Sequence, residues 1–135
     1  MSQSNTQTGQ IVLPAHVDLT GKEGYLVKIV NASNVAKFAL PTGDLDYAVF
    51  VLTDGDGTGE SVAALPLSSD RNVRVKLSGT CSPGQVLVIN SVNWGTVSSL
   101  PTSPGNYRGI AIAEEPGVDG QLVKARPLTF GKIAV

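Results

Sequence analysis

Helical periodicity, cysteine, histidine and charge are all scarce in this chain, and each shortage removes a class of function. No stretch keeps a helical apolar period beyond about two turns, so a helix-built architecture is not expected. The single cysteine, Cys81, allows no intrachain disulfide and has no Cys-x-x-Cys companion, and the single histidine, His16, leaves no zinc-type ligand set. Charged residues make up 16 % of the chain, against roughly 25 % in an average soluble domain. The net charge is −1, the isoelectric point is near 5.7 and no Lys/Arg cluster occurs. A phosphate backbone needs a basic patch, so nucleic acid is not an expected partner. No apolar run is long enough to span a bilayer, and the N-terminus lacks the charged-then-apolar pattern of a secretory signal. The expectation is synthesis in a reducing cytoplasm, with no membrane as partner.

What the chain has is glycine and proline, 15 and 8 of them, punctuating short β-type runs. Its 135 residues, 41 % hydrophobic, suffice for one domain with a real core. Arg71 to Ile89 reads as strand, tight loop, strand. Val73, Val75 and Leu77 alternate with Asn72, Arg74, Lys76 and Ser78, the period of a half-buried strand. Gly79 to Gly84 supplies turn chemistry, and Gln85 to Ile89 is apolar enough to be buried on both faces, so the stretch is expected to form a central hairpin.

Taken in order, Met1 to Gln10 is polar and uncharged, a composition that cannot offset its own ordering entropy. It is expected to be a flexible N-terminal arm, either a frayed end or a segment that orders on a neighbouring subunit. Ile11-Val12-Leu13 then begins a single β domain over residues 11–135 as a short edge strand that Pro14 ends. Further strands are expected over 24–30 and 35–40 as a hairpin, 45–52, 60–67, 94–97, 107–113 and 121–128. The tail 129–135 is one more strand or a docking segment. The fold class is all-β: a small β-barrel or β-sandwich of short antiparallel strands with a flexible N-terminal arm.

The search for chemistry is mostly negative. His16 follows Pro14 in an edge segment and no Gly-x-Ser-x-Gly elbow exists, which favours a surface or interface histidine over a catalytic one. Cys81 has no nearby basic residue in sequence and reads as a small apolar residue. Asp54-Gly55-Asp56-Gly57-Thr58-Gly59-Glu60 alternates carboxylates as Ca²⁺ ligands do, yet Leu65 stands where an EF-hand loop needs its bidentate Glu. No Lys-Ser/Thr follows those glycines to make a phosphate cradle. That loop is read as a solvated hairpin turn that projects outward and is dispensable. Adjacent Glu114 and Glu115 point to opposite faces of a strand and make no carboxylate pair. Trp94 with Tyr25, Tyr47 and Tyr107 forms no stacking stripe in sequence, although convergence of two of them in space would make a sugar platform. No catalytic residue, cofactor or metal is expected, and the chain is not expected to be an enzyme.

The order of features points further. Gly24-Tyr25-Leu26-Val27, Tyr47-Ala48-Val49, Gly59-Glu60-Ser61-Val62, Val75-Lys76-Leu77-Ser78-Gly79 and Pro83-Gly84-Gln85-Val86-Leu87 follow one another. Gly95-Thr96-Val97, Gly109-Ile110-Ala111 and Gly120-Gln121-Leu122-Val123 complete the series. This succession, over Gly21 to Leu128, resembles the small capsid decoration, or cement, proteins of tailed bacteriophages. The Asp54 to Glu60 loop is less typical of that pattern. The resemblance implies a structural virion protein that trimerises, binds the outer surface of the expanded head and stabilises contacts between neighbouring major capsid proteins. Its expected location is the outer capsid surface, after synthesis in the host cytoplasm. Gln10, Ile11, Val12, Leu13 and Pro14 are the candidate capsid or subunit contact, through ordering or strand addition on assembly. A carbohydrate-binding module and a tail or baseplate β module are the alternatives.

Overall fold

The computed structural model describes residues 9–128 and 131–135, so the expected arm lies outside the described residues except for Gly9 and Gln10. Strands and turns account for the described residues, with no helix among them. The first half carries β1 (Ile11–Pro14), β2 (Leu26–Ala32), β3 (Val35–Ala39), β4 (Phe50–Asp54) and β5 (Ser61–Pro66). The second carries β6 (Val73–Lys76), β7 (Val86–Ile89), β8 (Val97–Ser99), β9 (Asn106–Ala113) and β10 (Leu122–Pro127), followed by β11 (Lys132–Ala134). The fold is all-β, built of short antiparallel strands that curl into barrel-like sheets.

The first sheet runs β1-β5-β4-β2-β3 and nearly closes on itself. Just beyond β1, Ala15 bridges Phe38 of β3 in parallel, and the His16 N–H donates to the Phe38 carbonyl at 2.8 Å. The second sheet runs β6-β10-β9-β7-β8, with β11 added to β9. It closes by the same device, for Leu77 bridges Val97 in parallel and the Ser78 N–H donates to the Val97 carbonyl at 2.8 Å.

The two halves are therefore one topology laid down twice. The registers match as well as the strand orders. Ile11 and Leu13 face Ala64 and Val62, as Val73 and Val75 face Ala125 and Val123. Leu26, Val51 and Leu65 form a cross-strand row whose counterpart is Val86, Ile112 and Arg126. Backbone bonds recur too: Leu19 N–H to Asp56 carbonyl and Cys81 N–H to Gly117 carbonyl, Leu67 N–H to Val49 carbonyl and Leu128 N–H to Ile110 carbonyl. The clearest trace in sequence is Gly59, Val62, Ala64, Pro66 and Leu67, repeated as Gly120, Val123, Ala125, Pro127 and Leu128.

Each barrel buries its own apolar cluster. The first holds Ala15, Leu19, Val27, Phe38, Leu52, Val62 and Ala64, with Phe38 and Phe50 edge to face at 5.4 Å. The second holds the counterparts, and it also takes Leu26, Ala48 and Val51 from the first half. That sharing joins the barrels. The chain at Gly24 to Leu26 enters the gap between β6 and the turn before β8. There the Gly24 carbonyl accepts from Lys76 N–H at 2.9 Å and Leu26 N–H donates to the Gly95 carbonyl at 2.7 Å. Gly24 has φ of 87°, and a Cβ there would collide with the Leu122 side chain. The outer face of the first barrel thus plugs the mouth of the second.

Several expectations need correction, among them the strand over 94–97, which falls at Val97–Ser99 because Trp94 and Gly95 form the turn before it. Arg71 to Ile89 is strand, loop, strand, but not a hairpin: β6 pairs with β10, and β7 lies between β9 and β8. The reason is in the loop, where Cys81 and Gly117 exchange backbone bonds at 3.1 and 3.0 Å and carry the chain across the barrel end. The expected strand over 45–52 is regular only from Phe50, because the Asp46 carboxylate draws the preceding chain into a turn by accepting from Thr42 N–H at 2.7 Å and Gly43 N–H at 3.2 Å. The Asp54 to Glu60 loop is the largely exposed turn of the β4–β5 hairpin, as expected, but it is also tied to the chain between β1 and β2. Its Asp56 carbonyl accepts from Leu19 N–H, its Gly59 N–H donates to Ala15, and its Gly55 N–H donates to the Glu23 carboxylate at 2.8 Å. In the tail, β11 is the added strand, pairing Lys132 to Ala134 with Arg108 to Asn106, while 129–130 lie outside the described residues.

Candidate interaction surface

Four of the five candidate contact residues, Ile11 to Pro14, form β1, and Gln10 leads into it by donating its side-chain amide to the Thr53 hydroxyl. Strand alternation divides their roles. Ile11 and Leu13 turn inward against the first core and stay half-buried, while Val12 turns outward and is 59 % exposed. One edge of β1 is taken by β5, and the other faces β3 across a seam closed only at Ala15.

Around that seam the first barrel is open where the second is sealed. Ile29 and Ile89 hold the same place, each opposite the β3 or β8 residue that makes the closing bridge. Ile29 is 45 % exposed and Ile89 is 2 % exposed. Ile11 and Leu13 are half-buried where Val73 and Val75 are buried. A concavity of about 430 Å³ lies beside this mouth, lined by Ile29, Val30, Asn31, Asn34 and Ala36. Beyond it the β2–β3 hairpin ends in a two-residue turn with Ser33 and Asn34 at positive φ, the form that suits strand twist, with Val35 exposed next to it. Sequence reasoning found β1 but missed the exposed Ile29 of β2, opposite the Phe38 that bridges the seam, and the Val86, Ile112 and Arg126 row. The internal repeat was the signal that would have exposed both.

A second apolar surface lies where the barrels meet. Tyr47 is 73 % exposed and shares a concavity of about 260 Å³ with Val49, Leu67, Ile110 and Leu128. The Arg108 guanidinium stacks 4.3 Å from the Tyr47 ring centroid and donates to the Leu45 carbonyl at 2.9 Å, which holds the ring in place.

The other candidate groups fall elsewhere. His16 is exposed and lines a third concavity, of about 530 Å³, with Asp18, Lys28, Leu40, Thr42 and Trp94. Asp18 is engaged by Thr20, whose hydroxyl and N–H donate to it at 2.7 and 3.1 Å and hold its carboxyl below the ordinary value. No hydrogen bond joins His16 to a carboxylate among the described residues. The Lys28 ammonium is tied to Asp46 at 2.6 Å. No tyrosine lines this concavity beside Trp94: Tyr25 lies under the Lys22 ammonium, Tyr47 under Arg108, and the Tyr107 hydroxyl donates to Ser103.

Cys81 is buried at the place corresponding to Leu19, and burial raises its thiol pKa. Glu114 and Glu115 pin the edge of the second sheet. Arg126 donates to Glu114 at 3.1 Å, while Arg74 and the Lys124 N–H donate to Glu115 at 2.9 and 3.0 Å. The Lys124 N–H bond leads in lowering the Glu115 pKa; for Glu114, desolvation acts upward and the Asn72 and Arg126 bonds outweigh it. No group of three or more His, Cys, Asp or Glu side chains converges among the described residues, so the Asp54 to Glu60 carboxylates do not make a clustered ligand set there.

The fold and this surface together define a tandem-barrel β protein with open apolar strand surface. No known protein family matches the chain, and no curated protein sequence matches it.

Proposed function

We propose that this chain is a structural virion protein, a capsid decoration protein that binds the outer surface of the expanded head as a homotrimer and stabilises contacts between major capsid proteins. The observation that carries the reading is a framework of two joined barrels that leaves Ile29 exposed at the mouth of the first, Val12 on its outer face, and Tyr47 and Val49 exposed beside a shared concavity. Contiguous exposed apolar surface marks a site of association. The sequence resemblance to cement proteins supports a capsid lattice as the partner.

A clamp that binds only the assembled lattice stabilises that lattice by mass action. Three linked copies make each further contact effectively intramolecular, so a modest contact per subunit suffices. Residues Met1 to Pro14 contribute to the shell contact, with the outward Val12 available to it. The work is done by lending surface, without catalysis or cofactor, on the outside of the virion.

The test is addition of purified chain to expanded and unexpanded heads, followed by quantification of bound protein and of head survival on heating. Binding to expanded heads alone, reduced on deletion of Met1 to Gln10, is the expected result. Equal binding to both head forms, or none, refutes the decoration reading, and undiminished binding after the deletion refutes the role of the arm.

A further inference from the structure

We infer that copies of this chain associate head to tail, the outer face of the second barrel in one copy seating on the open mouth of the first barrel in the next. The inference deepens the subunit contact of the proposed trimer and rests on that reading only for the number of copies. The template is the contact between barrels inside the chain.

Within one chain Leu26 and Val51 belong to the same buried cluster as Val73, Val75 and Ile89, with Leu65 packed against it, and backbone bonds from Lys76 to Gly24 and from Leu26 to Gly95 hold the two halves together there. Both sides of that contact recur in the repeat, with Val86 and Ile112 half-buried where Leu26 and Val51 are buried, and Ile29 exposed where Ile89 is buried. The row recurs as Val86, Ile112 and Arg126, all half-buried, and the receiving positions recur as Ile11, Leu13 and Ile29. A chain that carries one filled plug and socket therefore offers one vacant plug and one vacant socket. A second copy is the occupant whose shape the molecule already contains.

Such a contact joins two different patches, so it propagates, and it ends only when a ring closes or a filament runs on. Two departures make it weaker than the internal contact. Pro14 holds the place of Lys76 and has no N–H to donate, so the backbone bond that Lys76 gives Gly24 has no equivalent. Arg126 replaces Leu65 and is tied to Glu114, leaving its aliphatic stem to cover apolar surface. Association is thus expected to depend on concentration, and a closed ring of three would line up six barrels.

The experiment uses the full chain in sedimentation velocity with two single variants. Ile29→Asp spoils the socket and leaves the plug, and Ile112→Asp spoils the plug and leaves the socket. Each alone is expected to lose the ring species at concentrations where the unaltered chain assembles, with its melting curve and circular dichroism preserved. Val86→Lys repeats the plug test if Ile112→Asp fails to fold. Mixed in equal amounts, socket and plug variants should form a one-to-one dimer and nothing larger, since one good plug and one good socket remain between them.

A monomeric unaltered chain, or failure of the mixture to pair, overturns the inference. So does loss of assembly in Ile29→Asp alone, the result expected if the mouth pairs with itself or takes the Met1 to Thr8 segment. A trimer that survives both variants overturns this contact and leaves the proposed trimeric function standing. A ring that forms but ignores expanded heads does the reverse.

Discussion

Leu26→Ala is the sharpest test of the joined-barrel architecture, because Leu26 starts a strand of the first barrel and is fully buried in the core of the second. The truncation removes roughly three buried carbons at about 0.8 kcal/mol each, near 2.4 kcal/mol in transfer energy. The neighbours cannot close fully over the gap, because Leu26 N–H and Gly24 carbonyl hold the backbone in place. A residual cavity then adds to the loss, and about 3 to 4 kcal/mol in total lies within the range measured for buried leucines. For a chain of this size that corresponds to a fall in melting temperature of about 10 °C or more.

The assay is guanidinium unfolding followed by fluorescence of Trp94, the only tryptophan, which packs against the second core. The counterpart substitution Val86→Ala, at a half-buried position, is expected to cost about 1 kcal/mol or less when measured on the monomer. A Leu26→Ala loss below about 1 kcal/mol, or one no larger than that of Val86→Ala, would refute the claim that the first barrel seals the second.

Two other substitutions test separate parts of the structure. A Cβ at Gly55 would collide with the Leu19 carbonyl, a backbone atom that cannot swing aside, whereas nothing lies within 4 Å of one at Gly57. Gly55→Ala is therefore expected to lower the urea midpoint by an amount equivalent to about 2 kcal/mol or more and Gly57→Ala by about 0.5 or less, and equal effects would show the loop to be as free as its sequence suggests. Burial acts to raise the Asp46 carboxyl pKa, and bonds from Lys28 and Thr42 outweigh it, leaving it below the ordinary value. A depressed folded-state pKa contributes stability that is present above the unfolded value of about 3.9 and is lost as pH falls through the folded value. Melting temperatures from pH 6 to pH 2 should fall less steeply below about pH 4 in Asp46→Asn than in the unaltered chain. Parallel curves would mean that the ion pair is not coupled to folding.

Strand positions were largely legible in the sequence because alternation and glycine turns are local signals. Val73, Val75 and Leu77 face the core as their spacing requires, and the β2–β3 hairpin forms around its Ser33-Asn34 turn. Pairing was less legible, since nothing local states that β6 joins β10 across the intervening strands. The repeat was hidden for a physical reason. Corresponding inward positions keep similar residues, as Val62 and Ala64 do with Val123 and Ala125. Corresponding outward positions diverge, as Ala63 and Leu65 do from Lys124 and Arg126: Leu65 packs against the second core, whereas Arg126 pairs with Glu114 at the sheet surface. Identity at alternate residues over short strands leaves little to see. The open mouth was legible only in part: Ile11 to Pro14 stood out by composition, whereas Ile29 drew no notice inside a regular strand.

The unequal sharing of side chains gives synthesis a direction. Leu26, Ala48 and Val51 leave the ribosome before any strand of the second barrel exists, and the first barrel's cluster needs no residue made later. The early half can therefore fold while the later half is still being made, and then serve as the surface on which that half completes its core. A circular permutant beginning at Asn72 would reverse this order, leaving the newborn half waiting for its stopper.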